Sequence, residues 1–96
     1  MKITGFVHKV CEPINGTMKD GSPFVKQTVV IAEPMEDGRQ RPVAITALGE
    51  KGVAKLADVK DGQRVDVWFH IQSREYEGRW YTECVLSTIN VLTVAN

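Results

Sequence analysis

The densest run of chemistry-bearing side chains in this 96-residue sequence is Arg74-Glu75-Tyr76-Glu77-Gly78-Arg79-Trp80-Tyr81, with two arginines and three aromatics in eight positions. Aromatic faces stack on unpaired bases at roughly 1–3 kcal/mol per base, and cationic groups follow the phosphates, so this mixture suits a single nucleic-acid strand. The same residues have a structural use, because aromatic cross-strand pairs also stabilise a hairpin. Trp80 and Tyr81 are adjacent, so on a strand they point to opposite faces and at least one packs against the sheet. Glu75, Glu77 and Glu83 lie among the arginines and blunt the attraction for phosphate. An exposed pair between Arg74 and Glu75 or Glu77 would be worth little.

Other candidates lie upstream. Phe24 and Lys26 share one parity of a predicted strand, Lys19 sits in the loop before it, and Arg39 and Arg41 enter the next strand. Trp68 falls on the polar parity of its strand, beside Arg64, Asp66 and His70. It either stacks on a ligand or fills a subunit interface, where Trp is enriched, and the pairing tendency of long sheet edges favours the interface. Phe6 and Phe69 read as core.

Catalytic and metal chemistry find little support. His8 and Cys11 are three apart on a strand and face opposite sides. His70 and Cys84 could meet across strands, but two ligands fall short of the usual four around structural zinc. No glycine-rich phosphate loop, nucleophile elbow or Ser-His-Asp order occurs. We read no enzyme, no metal and no cofactor, and each cysteine as a structural free thiol.

These residues need a scaffold, and the pattern is mostly strand. Lys2–Val10 is rich in β-formers, with Gly5 at a bend or bulge. Residues 12–22 hold Pro13, Asn15-Gly16 and Asp20-Gly21 and read as a mobile connection. Strands follow over Phe24–Ala32 and Arg41–Leu48, separated by a loop with Pro34 and Asp37-Gly38. A short helix is predicted over Glu50–Asp58, where Val53, Leu56 and Ala57 form one apolar stripe. Val65, Val67, Phe69 and Ile71 alternate along a fourth strand, Ser73–Gly78 is a turn, and Arg79–Val94 is the last strand. Five strands cannot leave both faces wet, and closure into a barrel is the economical solution. Three strands, a helix and two strands is the order of the OB-fold; another five-stranded barrel or sandwich is the alternative. The whole chain, 1–96, reads as one all-β domain with one short helix.

Composition bounds the partners. Twelve basic and twelve acidic side chains cancel. That excludes a strongly cationic nucleic-acid coat and a polyanionic mimic, so phosphate binding must come from local charge. Residues 1–32 carry four lysines against Glu12 and Asp20, residues 33–50 are net acidic, and the remainder balances. Two cysteines are few for a small secreted scaffold, no apolar leader opens the chain, and no apolar run could span a membrane. The chain reads as soluble, reduced and cytoplasmic.

Two stretches carry a resemblance. Arg41-Pro42-Val43-Ala44-Ile45-Thr46-Ala47-Leu48-Gly49-Glu50-Lys51, with the helix and Asp61-Gly62-Gln63-Arg64-Val65-Asp66-Val67, resembles bacterial single-stranded DNA-binding proteins. Gly78-Arg79-Trp80-Tyr81-Thr82-Glu83-Cys84-Val85-Leu86 is similar to their last strand. A closer similarity is to a family of short bacterial proteins that begin like Met1-Lys2-Ile3-Thr4-Gly5 and share Ser73-Arg74-Glu75-Tyr76-Glu77-Gly78-Arg79-Trp80-Tyr81-Thr82. The resemblance implies an OB-fold and a homodimer or homotetramer; taken with the strand order and the aromatic–basic hairpin, the leading expectation is binding of single-stranded DNA, or RNA, with little sequence preference. The DNA-binding family's acidic-tipped tail has no counterpart at Thr93-Val94-Ala95-Asn96, its third-strand stacking aromatic is missing, and the hairpin around Glu77-Gly78 is shorter. Neutral charge and the missing acidic tail favour the rival expectation, a protein-interaction or oligomerising module without nucleic-acid affinity.

Overall fold

The computed structural model describes residues 1–92. Six strands and one helix follow in the order β1 (Lys2–Val10), β2 (Ile14–Thr17), β3 (Pro23–Pro34), β4 (Gln40–Leu48), α1 (Gly49–Ala54), β5 (Arg64–Tyr76) and β6 (Arg79–Val91). The sheet runs β1-β5-β6-β4-β3-β2, and β1 also pairs with β3. That extra pairing closes β1, β5, β6, β4 and β3 into the expected five-stranded OB barrel. Every pairing is antiparallel except a short parallel one, Ile45 with Cys84 and Thr46 with Val85, which joins β4 to β6.

β1 makes the closure by changing partners midway. Lys2 to Phe6 pair with β5, and Phe6 to Val10 pair with β3. At the crossing the backbones crowd: a Cβ on Gly5 would stand 2.4 Å from the Ala32 carbonyl oxygen. Gly5 is thus needed for close approach, and the bulge itself lies just beyond, between Val7 and Lys9. Inside, Val7, Val29, Ile31, Ile45, Ala47, Leu56, Val65, Val67 and Phe69 form the core. Each fully buried Val or Ile contributes about 1.5–3 kcal/mol of transfer free energy.

Several local expectations change. Ile14–Thr17 is a strand, not a mobile connection, and forms a hairpin with the start of β3. The helix stops at Ala54, and Leu56 and Val59 are then buried through successive i→i−3 turns while Ala57 stays exposed. Phe6 is 43% exposed, not core, because the interior parity of β1 belongs to Gly5 and Val7. Phe69 is buried as expected. Residues 73–76 continue β5, so the turn shrinks to Glu77 and Gly78, with φ of 50° and 79°. Two positive φ values at the centre of a two-residue loop match the twist of a hairpin. The expected end of the last strand, Thr93 and Val94, lies outside the described residues.

The β5–β6 hairpin runs past the barrel. Residues 70–82 are all exposed, and the longest dimension is 48 Å. The radius of gyration, 14.5 Å, exceeds the roughly 12.5 Å usual for a compact chain of this length. No helix among the described residues is long and apolar enough to cross a membrane.

Candidate functional site

An open groove of about 940 Å³ lies over the outer face where β3 meets β4. One wall is the β2–β3 hairpin, with Asn15, Thr17 and Lys19; the other is the projecting β5–β6 hairpin, with Gln72, Arg74 and Glu83. Phe24, Lys26, Leu48 and Glu50 line the bed between them. Register explains the assembly. Phe24 and Lys26 are two apart and share the outer face of β3. Gly16 stands opposite Phe24, and Lys26 sits between Ile14 and Leu48.

Gly16 seats the aromatic ring. A Cβ there would stand 2.4 Å from Phe24 Cζ and 2.5 Å from Cε1, so the ring lies across the glycine. Such packing of an aromatic over an edge glycine pins the strand pair. It also gives the groove a stacking surface held by backbone.

The hairpin sorts its side chains into two faces. Beyond the bulge at Trp68/Phe69, Arg74 pairs with Tyr81, Tyr76 with Arg79, and Gln72 with Glu83. These pairs share the groove face; Ile71, Ser73, Glu75, Trp80 and Thr82 share the opposite one. Ser73 Oγ and Thr82 Oγ1, 2.9 Å apart, bond on that opposite face. Arg74, Tyr76 and Tyr81, with Glu75, border a smaller depression of about 390 Å³ that continues the groove outward. Lys19 reaches over the Tyr76 ring, 5.7 Å from its centroid, and links the two walls. An exposed cation–π contact of this kind is worth roughly 0.5–1 kcal/mol, weak enough to yield to a ligand.

Of the sequence candidates, the structure therefore brings together Lys19, Phe24, Lys26, Arg74, Tyr76 and Tyr81, with Arg79 on the same face at the hairpin tip. It does not bring in the others. Arg39 and Arg41 stand at the far end of the β3–β4 hairpin, with Arg41 opposite Glu33 while Leu48 is opposite Lys26. Seven residues of strand, roughly 23 Å, separate those pairs. Both arginines are also occupied: Arg39 bonds Asp37 through Nε at 2.7 Å, and Arg41 donates to Glu33 Oε1. Trp80, 69% exposed, projects from the hairpin face away from the groove. Trp68 is half-buried, with the Lys2 ammonium 5.2 Å above its ring, so its outer face is roofed by its own chain.

His70 and Cys84 lie on opposite faces of the β5–β6 pair. Cys84 is opposite Ile71 and packs against the core, while His70 is opposite Val85 and faces Ser87 and Gln72. Among the described residues no three His, Cys, Asp or Glu side chains cluster to hold a metal ion.

Charge is distributed in a telling way. Among the described residues the ion pairs are Lys2–Asp66, Arg39–Asp37 and Arg41–Glu33, all outside the groove. Lys19, Lys26, Arg74, Glu50 and Glu83 inside it have no such partner. Two carboxyls titrate below their ordinary range: Asp37, held by the Arg39 side chain and then its backbone N–H, and Asp20, held by the Ser22 backbone N–H.

Sequence reading missed Asn15, Gly16, Leu48, Glu50, Gln72 and Glu83 as site residues. Parity could have supplied Gln72 and Glu83, since both lie an even number of residues from Arg74 or Tyr81. Asn15 and Gly16 were hidden because their stretch looked like a loop.

Comparison with known proteins supports the fold. The chain superposes on the mitochondrial single-stranded DNA-binding protein Rim1 of S. cerevisiae with a TM-score of 0.63 and 23% identity, covering 100% of this chain and 95% of that one. The dimeric N-terminal domain of PriB from Thermoanaerobacter tencongensis gives a TM-score of 0.67 at 14% identity, covering 98% and 96%. The second OB-fold domain of replication protein A from Methanococcus maripaludis gives 0.63 at 17%, covering 99% and 85%. At such identities the likeness establishes the OB-fold and nothing finer. No curated protein matches the sequence. Residues 2–90 match one family model, and the chain belongs to that family, described as a domain of unknown function, DUF3127.

Proposed function

We propose that this chain binds single-stranded DNA, with single-stranded RNA as the related ligand, and without need of a defined sequence. The observation that carries this reading is the groove: one backbone-seated aromatic, Phe24, and three cations in no ion pair among the described residues, Lys19, Lys26 and Arg74, on the outer barrel face between two hairpin walls. Phe24 stacks a base, and Tyr76 and Tyr81 extend the platform along the hairpin. The cations follow the backbone, with Arg79 at the outer end. Rim1, described as a single-stranded DNA-binding protein, supports the reading through its shared fold.

Zero net charge limits the strength of binding. Counting only the three groove cations, phosphate contacts give a salt slope of about −2 for a single strand, so affinity falls roughly twenty-fold between 50 and 200 mM salt. The test is anisotropy of a labelled oligo-dT strand at both salts. Intrinsic tryptophan emission is a poor reporter, because Trp80 projects from the hairpin face away from the groove and Trp68 is half-buried beneath the Lys2 ammonium. Binding at low salt that weakens by that factor supports the proposal; no binding at low salt with tens of micromolar protein refutes it.

A second reading rests on a different surface. Ile71, 51% exposed, and Trp80 share the hairpin face away from the groove, and the PriB domain is a dimer. Self-association through that face would be the alternative or additional role. Light scattering tests it: a dimer that Trp80→Ser dissociates supports this reading, and a monomer removes it.

A further inference from the structure

We propose that the groove reads one base of the strand it holds, and that the Glu83 carboxylate makes guanine the favoured base. This rests on the single-strand reading above and deepens it from a track for any strand to a track with one selective position.

The groove holds charges of both signs. Lys19, Lys26 and Arg74 suit phosphate, but Glu83 on β6 and Glu50 in the first turn of α1 repel it. A strand lying here therefore turns its phosphates toward the cations and its base edges toward the carboxylates. Glu83 is the better placed of the two. It is half-buried on a paired strand, whereas Glu50 is exposed on a six-residue helix. Gln72, also in the groove lining, stands directly across from Glu83; its Oε1 lies 3.3 Å from His70 Nε2, a contact that does not use the amide N–H groups.

A carboxylate only accepts hydrogen bonds, whereas an amide nitrogen donates them. Unpaired bases present their Watson–Crick edges to a protein. Guanine alone offers two adjacent donors, N1–H and the 2-amino group, which match the two carboxylate oxygens; its O6, next to them, accepts from an amide such as that of Gln72. Bidentate, charge-assisted contacts of this sort are the strong ones. Cytosine and adenine offer one amino group beside a ring nitrogen whose lone pair repels the carboxylate. Thymine offers one N–H flanked by two carbonyl oxygens. The order of preference is guanine first and thymine last.

The experiment compares two labelled strands by anisotropy at low salt, a short oligo-dT and the same strand with one central dG. Wild-type protein should bind the dG strand about five-fold or more tightly, the lower end expected of a bidentate base contact. Glu83→Gln should bring the ratio to within two-fold, while Glu36→Gln, an equal charge change in the exposed β3–β4 turn, should preserve it. Equal binding of the two strands by wild-type protein overturns this inference and leaves the proposed function standing. If Glu83→Gln tightens both strands and leaves their ratio unchanged, Glu83 acts only as a general charge and the inference is wrong. If neither strand binds, the single-strand reading fails, and this inference with it.

Discussion

Replacing Gly16 with alanine separates the fold from the binding surface. The new Cβ would stand 2.4 Å from Phe24 Cζ, where real Cβ atoms essentially never come closer than 3.0 Å. The obstructing atom is the far end of a side chain with two torsions, so the ring yields and the backbone does not. Gly16 lies on the four-residue edge strand β2, which pairs with β3, and alanine in a strand is no worse than glycine. Stability should therefore change by under about 1 kcal/mol, or a few degrees in Tm. Binding should suffer far more, because the displaced ring loses a stacked base worth roughly 1–3 kcal/mol, a five- to 150-fold rise in Kd. Phe24→Ala should lose the same amount, and the double variant should lose no more than either single one, since both remove one contact. The assay is oligo-dT anisotropy beside a thermal melt. If Gly16→Ala binds like wild type while Phe24→Ala does not, or if the two losses add, the ring is not held by Gly16 and the argument fails.

Other consequences follow from the same geometry. Gly5→Ala places a Cβ against the Ala32 carbonyl, a backbone atom that cannot swing aside, and should cost about 1–3 kcal/mol; a thermal melt lowered by less than a few degrees would contradict the account of barrel closure. Glu77→Asn should stabilise the hairpin by roughly 0.5–1 kcal/mol in urea titration, because Asn-Gly suits a loop with two positive φ values and glutamate does not. Asp37 has a folded carboxyl below the ordinary range, so its contribution is present above the unfolded value and is lost as pH falls through the folded one. Arg39→Ala should return the Asp37 titration, followed by NMR, toward the ordinary carboxylate value, and should leave oligo-dT affinity unchanged.

Much of the barrel was legible because its signals are local and periodic. Val65, Val67 and Phe69 alternate cleanly, and each is buried. Gly5 was readable as a special backbone position, although its close approach to Ala32 depends on a strand distant in sequence. Phe6 was misread because large apolar residues suggest core, while parity with Val7 decides which face they take. The site was legible in its residue types but not in its membership. Arg39 and Arg41 look identical to Arg74 in sequence; they differ in having Asp37 and Glu33 beside them and lying at the other end of a strand pair. Trp80 and Tyr81 were separable by alternation, but which of them meets the groove depends on how β6 joins β4 at Ile45 and Cys84.

The most direct test of the account is the salt dependence of oligo-dT binding in single-charge variants. Lys26→Ala and Arg74→Ala should each weaken binding and flatten the slope of log K against log salt by about 0.7, the share of one single-strand phosphate contact. Arg41→Ala, which removes an equal charge already paired with Glu33, should leave the slope unchanged. Equal flattening by all three, or by none, would contradict the assignment of the groove as the nucleic-acid site.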